Sequence, residues 1–174
     1  VQSGQQDPLE LLSFESEEEI LYVIVRHAPA SPINSSQTFY LWASNSISED
    51  LRTPAGTLSL PGDARGALSV GAISLDSLAV QSFSSRGPTA DNRVKPDLVA
   101  PDSVSTFSFG ERRFSGTSAS TAHVAGAAAL VFSINPFMDV GRLREMLEAA
   151  TDLLGRQTKN NDIGLGIIDL RLVR

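Results

Sequence analysis

Phe114-Ser-Gly-Thr-Ser-Ala-Ser-Thr-Ala-His-Val-Ala-Gly126 is the stretch whose residue types and spacing could do chemistry. A glycine-bearing turn, Gly116-Thr117, runs into Ser118 and then into small and apolar residues that read as a helix from Thr117 to Ile134. A serine at such a junction has three advantages as a nucleophile. The turn exposes its side chain, the helix fixes its position, and the unpaired amides and positive dipole end of the helix can stabilise an oxyanion. A hydroxyl before a helix is more often a plain N-cap. Here the helix opens with Ala119, Ser120, Thr121 and Ala122 and continues through Gly126-Ala-Ala-Ala129, so it is thin where another backbone or a substrate could approach. Position 120 is Ser, so the second glycine of a G-x-S-x-G nucleophile elbow is missing, which counts against an α/β-hydrolase.

The elements that must position this serine are those of an α/β layer. Strands are expected over Ala67–Ile73 and Leu98–Ala100. Because the 117–134 stretch is small and apolar almost all round, it is expected to be a buried helix, stopped by Asn135-Pro136. A second helix is expected over Asp139–Leu153, with Val140, Leu143, Met146, Leu147 and Ala150 as one apolar stripe. Before these the pattern differs. Leu9–Phe14, Ile20–Val25 and Thr38–Trp42 read as strands of antiparallel hairpins, and the acidic run Glu15-Ser-Glu-Glu-Glu19 as a solvated turn. The expected organisation is therefore an antiparallel, sandwich-like β segment over residues 1–50 and an α/β part over 51–174.

Composition narrows the function. With 174 residues and 41% hydrophobic content the chain suits one domain, or one and a part. A net charge of -6, from 14 basic and 20 acidic residues, argues against a nucleic-acid partner. The absence of cysteine excludes thiolate chemistry, disulfides and zinc-thiolate sites, and two histidines make a metal site a poor expectation. No apolar run reaches the roughly 20 residues of a membrane span, so no membrane role is expected, and no signal peptide is read at the start.

The serine segment resembles the active-serine motif of the subtilases, Gly-Thr-Ser-x-Ala-x-Pro-His-Val-Ala-Gly. Gly116, Thr117, Ser118, His123, Val124, Ala125 and Gly126 match in register, with Ser120 replacing the usual Ala and Ala122 the usual Pro. Further segments are similar in order: Val70-Gly-Ala72, Phe83-Ser-Ser-Arg-Gly-Pro88, Lys95-Pro-Asp-Leu-Val-Ala-Pro101 and Gly164-Leu-Gly-Ile-Ile-Asp169. Asp102 stands where that family commonly has Gly, so the turn there is expected to differ. The resemblance covers roughly residues 53–170. It implies the C-terminal part of a subtilisin-like parallel-sheet domain.

It further implies a serine endopeptidase in which Ser118 forms an acyl-enzyme, and its backbone amide is one oxyanion donor. Gly116, Thr117, His123 and Gly126 are implied as structural parts of the motif. The base His and its orienting Asp precede the serine in this family, in His-Gly-Thr and Asp-Thr/Ser-Gly settings that do not occur here. His123 lies five residues after Ser118, about 140° round and about 7.5 Å along the helix, and cannot readily reach it. His27, before a proline-containing loop, is expected to be a surface histidine. For the second oxyanion donor, an Asn, the candidate within the chain is Asn45 in Trp42-Ala-Ser-Asn-Ser46, a setting unlike the family's Ala-Gly-Asn. The favoured reading is that residues 1–50 are the end of a β-sandwich inserted after the true Asn, so that Ser118 alone is present from the active site. The chain alone is thus expected to be inactive, with the upstream half of the same protein as its partner and a peptide or protein as substrate. An extracellular or cell-envelope location is implied by the family. No cofactor is expected. Calcium is common among subtilases, but no ligand cluster is read in this chain. The alternative reading is a non-catalytic binding or structural module built on a degenerate protease fold.

Overall fold

The computed structural model describes residues 52–173, together with Ser13, Glu15, Val23, Ile24 and Leu41. The expected strands between Leu9 and Trp42, and with them the sandwich-like reading of residues 1–50, otherwise lie outside the described residues. The chain divides into two compact units, Val1–Phe39 and Tyr40–Arg174, and residues 52–173 all belong to the second.

In chain order the elements are β1 (Val70–Ile73), β2 (Leu98–Pro101), β3 (Val104–Thr106), β4 (Gly110–Phe114), α1 (Thr117–Ile134), α2 (Val140–Ala149), β5 (Thr151–Asp152), β6 (Ile167–Ile168) and a closing 3-10 turn over Leu170–Leu172. One sheet has the order β1-β2-β6-β5. Its first three strands are parallel, and β5 closes the edge antiparallel to β6. The α/β class with a parallel sheet is therefore as expected.

β1 and β2 are near-continuous apolar runs because both of their faces are covered. Successive side chains point to opposite faces, so Ile73 and Val99 pack with Ile163 while Leu98 and Ala100 pack with Val124 of α1. All five of these strand and loop residues are fully buried. At the start of β2 the buried Asp97 accepts from the Lys95 ammonium at 2.5 Å, the Arg144 guanidinium at 2.8 Å and the Ser69 amide at 2.8 Å. This carboxylate links the strand entry to α2. Gly164 closes the layer from the other side. Its φ is +59°, and a Cβ there would overlap the backbone of Pro96 and Asp97.

Two expectations about the helices need correction. α1 has the expected span, but its buried residues are Ala119 at the start and Ser120, Val124, Ala127 and Val131, the last four at the four-three-four spacing of a single helix face. Ala122, Ala125, Gly126 and Ala129 on the other side are exposed, and Leu130 is 60% exposed. An all-round apolar composition shows that a helix can be covered on every side, not that the residues described here cover it. α2 is shorter than expected. Asp139 is its N-cap, accepting from the Arg142 amide at 2.9 Å, and the helix ends at Ala149 because the chain then enters β5. Val140 is 81% exposed and does not belong to the buried stripe, which keeps Leu147 and Ala150 at its centre.

The strand expected from Ala67 begins at Val70. The antiparallel β3–β4 hairpin was not expected from the sequence.

Candidate active site

Ser118 is reached from the C-terminal end of β2. After Pro101 and Asp102 the chain leaves the sheet through β3 and β4, returns at Ser115 and Gly116, and enters α1 at Thr117. Two contacts pin this return. The Ser120 hydroxyl, fully buried, donates to the Pro101 carbonyl at 3.1 Å, which accounts for a polar residue where the motif usually has Ala. Asp102 makes the second. Its Oδ1 accepts from the Gly116 amide at 2.6 Å and from the Ser115 hydroxyl at 3.1 Å, while Oδ2 accepts from the Ser103 hydroxyl at 3.0 Å. The Asp102 amide in turn donates to the Ile73 carbonyl at 2.9 Å, tying the turn to the end of β1.

Asp102 is 3% exposed. Burial pushes its carboxyl up, but the hydrogen bonds from Gly116, Ser103 and Ser115 outweigh burial and hold it below the ordinary carboxylate range. It is charged at neutral pH. Sequence reasoning flagged position 102 as a departure from the family's Gly without finding its partners.

Gly116 is the N-cap of α1, with φ 111° and ψ 166°, a region open in practice to glycine alone. Its carbonyl accepts from the Ala119 amide at 2.9 Å, but having no side chain it gives α1 no side-chain cap. The Ser118 side chain is exposed, and neither its hydroxyl nor its amide has a hydrogen-bond partner among the described residues. Thr117 is half-buried, and its carbonyl accepts from the Thr121 hydroxyl at 2.8 Å.

His123 is exposed, with Nδ1 3.1 Å from the Ala119 carbonyl oxygen of its own helix. Gly126 lies on the exposed face, where a Cβ would meet no atom within 4 Å. His27 and Asn45 lie outside the described residues. Among the described residues no group of three or more His, Asp or Glu side chains gathers where it could hold a metal ion.

Beside the turn is a recess of about 620 Å³, lined among others by Ser74, Gln81, Asp102, Ser103 and Arg113. It opens where β1 and β2 end, the side on which open α/β sheets bind their ligands.

An exposed serine at the uncapped first turn of a helix, held beside the C-terminal ends of parallel strands, has the layout of an α/β serine hydrolase. The chain belongs to the subtilase family, peptidase S8: the family's sequence model matches residues 27–166. It is 35% identical over 119 residues to the serine protease AprX of Bacillus subtilis, covering 55% of this chain and 27% of AprX. It is 45% identical over 56 residues to pyrolysin of Pyrococcus furiosus, covering 29% of this chain and 4% of pyrolysin. The structure of the CspB protease of Clostridium perfringens superposes with a TM-score of 0.61 at 29% identity, over 68% of this chain and 28% of that one. The chain thus spans about a quarter of AprX and of CspB.

Proposed function

We propose that these residues form the nucleophile-bearing part of a serine endopeptidase. In the intact protein the Ser118 hydroxyl attacks a peptide carbonyl while a histidine base takes its proton. That histidine returns the proton to the leaving amine, and water then cleaves the acyl-enzyme to regenerate Ser118. The base and the aspartate that orients it come from outside these 174 residues. The oxyanion is held by the Ser118 amide together with a second donor, an Asn side chain in this family, that comes from upstream of the described residues.

The observation that carries this reading is the Ser118 hydroxyl and amide, without a hydrogen-bond partner among the described residues, at a start of α1 that has no side-chain cap. The bare second face of α1 supports it too. Ala122, Ala125, Gly126 and Ala129 are small enough for a further layer of the catalytic domain to pack close against the helix. The substrate is a peptide or protein, and the protease works outside the cell or in its envelope, as the family relationship suggests.

The test is peptide hydrolysis by the intact protein. Ser118→Ala should lower kcat by about 10⁶, the scale of losing a serine nucleophile. Unchanged turnover in Ser118→Ala would remove the proposal.

A further inference from the structure

The first turn of the nucleophile helix poses a conflict that Asp102 resolves. A helix start is ordinarily held by its N-cap side chain, which accepts a hydrogen bond from the amide two or three residues on. With Gly116 as N-cap, the amide two residues on is that of Ser118. A Ser, Thr or Asp at position 116 would hold the turn by occupying the donor an oxyanion needs. Glycine leaves that donor free but offers no side chain to restrain the turn.

We propose that Asp102 is a positioning residue that supplies the missing restraint from outside the helix, fixing the turn while leaving the Ser118 amide unoccupied. This rests on the reading of Ser118 as nucleophile. The carboxylate reaches across 14 residues of sequence to the Gly116 amide, one position before the helix proper, and also takes the Ser115 hydroxyl. Residue 102 is itself anchored, because it follows β2 directly and its amide donates to the Ile73 carbonyl at the end of β1. The nucleophile is thereby referenced to β1 and β2 rather than to its own turn alone. A negative charge at this end of α1 also suits the helix dipole. The charged groups facing the same recess are Asp76 and Arg113, and neither is hydrogen-bonded to Asp102.

The restraint acts on the placement of the reacting oxygen, not on substrate affinity. Misplacing a reacting group by about 1 Å costs on the order of 100-fold in rate. In the intact protein, Asp102→Ala should therefore lower kcat for a peptide by about 10- to 100-fold with KM nearly unchanged. Labelling of Ser118 by a fluorophosphonate should slow in parallel. Asp102→Asn, whose amide oxygen still accepts from Gly116, should recover most of the loss.

Native-state hydrogen exchange of the unmodified intact protein gives a readout that survives a variant's failure to fold. The Gly116 amide should be protected and the Ser118 amide should exchange fast. Wild-type kcat in a folded Asp102→Ala, a loss carried by KM, or equal exchange at the two amides would each overturn the assignment. If the wild-type protein cleaves no peptide, the protease reading fails instead, and the exchange contrast still decides whether the restraint exists.

Discussion

Ser118 and His123 share helix α1 but not a direction: the His123 Nδ1 lies 3.1 Å from the Ala119 carbonyl, while the Ser118 hydroxyl has no partner among the described residues. Five residues on a helix turn the chain by about 140° and advance it about 7.5 Å, so the two side chains diverge by construction. The imidazole nearest in sequence thus turns its Nδ1 to its own helix and not to Ser118. A serine without a base is a weak nucleophile, and the base that the proposed mechanism needs is not on α1.

Gly116 holds a backbone conformation that side chains avoid, and a Cβ there would meet only the Ser118 amide, at 3.8 Å. The obstacle to substitution is the backbone and not crowding. Gly116→Ala should cost about 1–3 kcal/mol of stability, the scale of one residue forced into such a region. Chemical denaturation of the intact protein measures the cost, and kcat should fall with it as the turn before Ser118 rearranges.

Asp97 is the charged centre of the sheet's other end. Its carboxyl is pushed up by burial, and the Lys95 ammonium, the Ser69 amide and Arg144 outweigh that effect and hold it below the ordinary range. A group whose folded value is depressed stabilises fully above its unfolded value, about 3.9, and loses that contribution as pH falls through the folded value. Melting temperature should therefore drop from about pH 5 downward. Asp97→Asn, which leaves the buried Lys95 without its charge partner, should cost about 3–5 kcal/mol at pH 7 and flatten the acid-side drop.

Ser120 is buried where the family motif usually has Ala, and its hydroxyl satisfies the Pro101 carbonyl. Ser120→Ala should fold and cost about 1 kcal/mol, the net worth of one such bond. A thermal melt checks it. A loss several times larger would mean that this contact, more than Asp102, fixes the entry to α1.

Much of the layer was legible because its signals are local. Gly-Thr-Ser before an apolar run and Asn135-Pro136 after it mark both ends of α1, and Leu98-Val-Ala100 before Pro101 marks β2. The β3–β4 hairpin was not legible. Gly-Glu-Arg-Arg-Phe carries no alternation of apolar and polar residues, since β4 pairs only with β3, away from the main sheet. β5 and β6 are two residues each and form through their pairing with neighbours rather than through propensity. Val140 fits the α2 stripe by spacing yet is exposed, because it stands in the first turn, beyond the reach of the core. Asp102 shows the limit most clearly. Its identity marked a departure from the family, but its role depends on a contact 14 residues away that no periodicity encodes.

The most direct test of the account is labelling of the intact protein by a fluorophosphonate serine-hydrolase probe. Variants with Ser118→Ala, and with His27→Ala and His123→Ala combined, complete the comparison. The account predicts labelling that is lost in Ser118→Ala and kept in the double-histidine variant, because neither imidazole serves as the base. Loss of labelling in a folded double-histidine variant would contradict it by placing the base within these 174 residues, and labelling that persists in Ser118→Ala would contradict it by placing the nucleophile elsewhere.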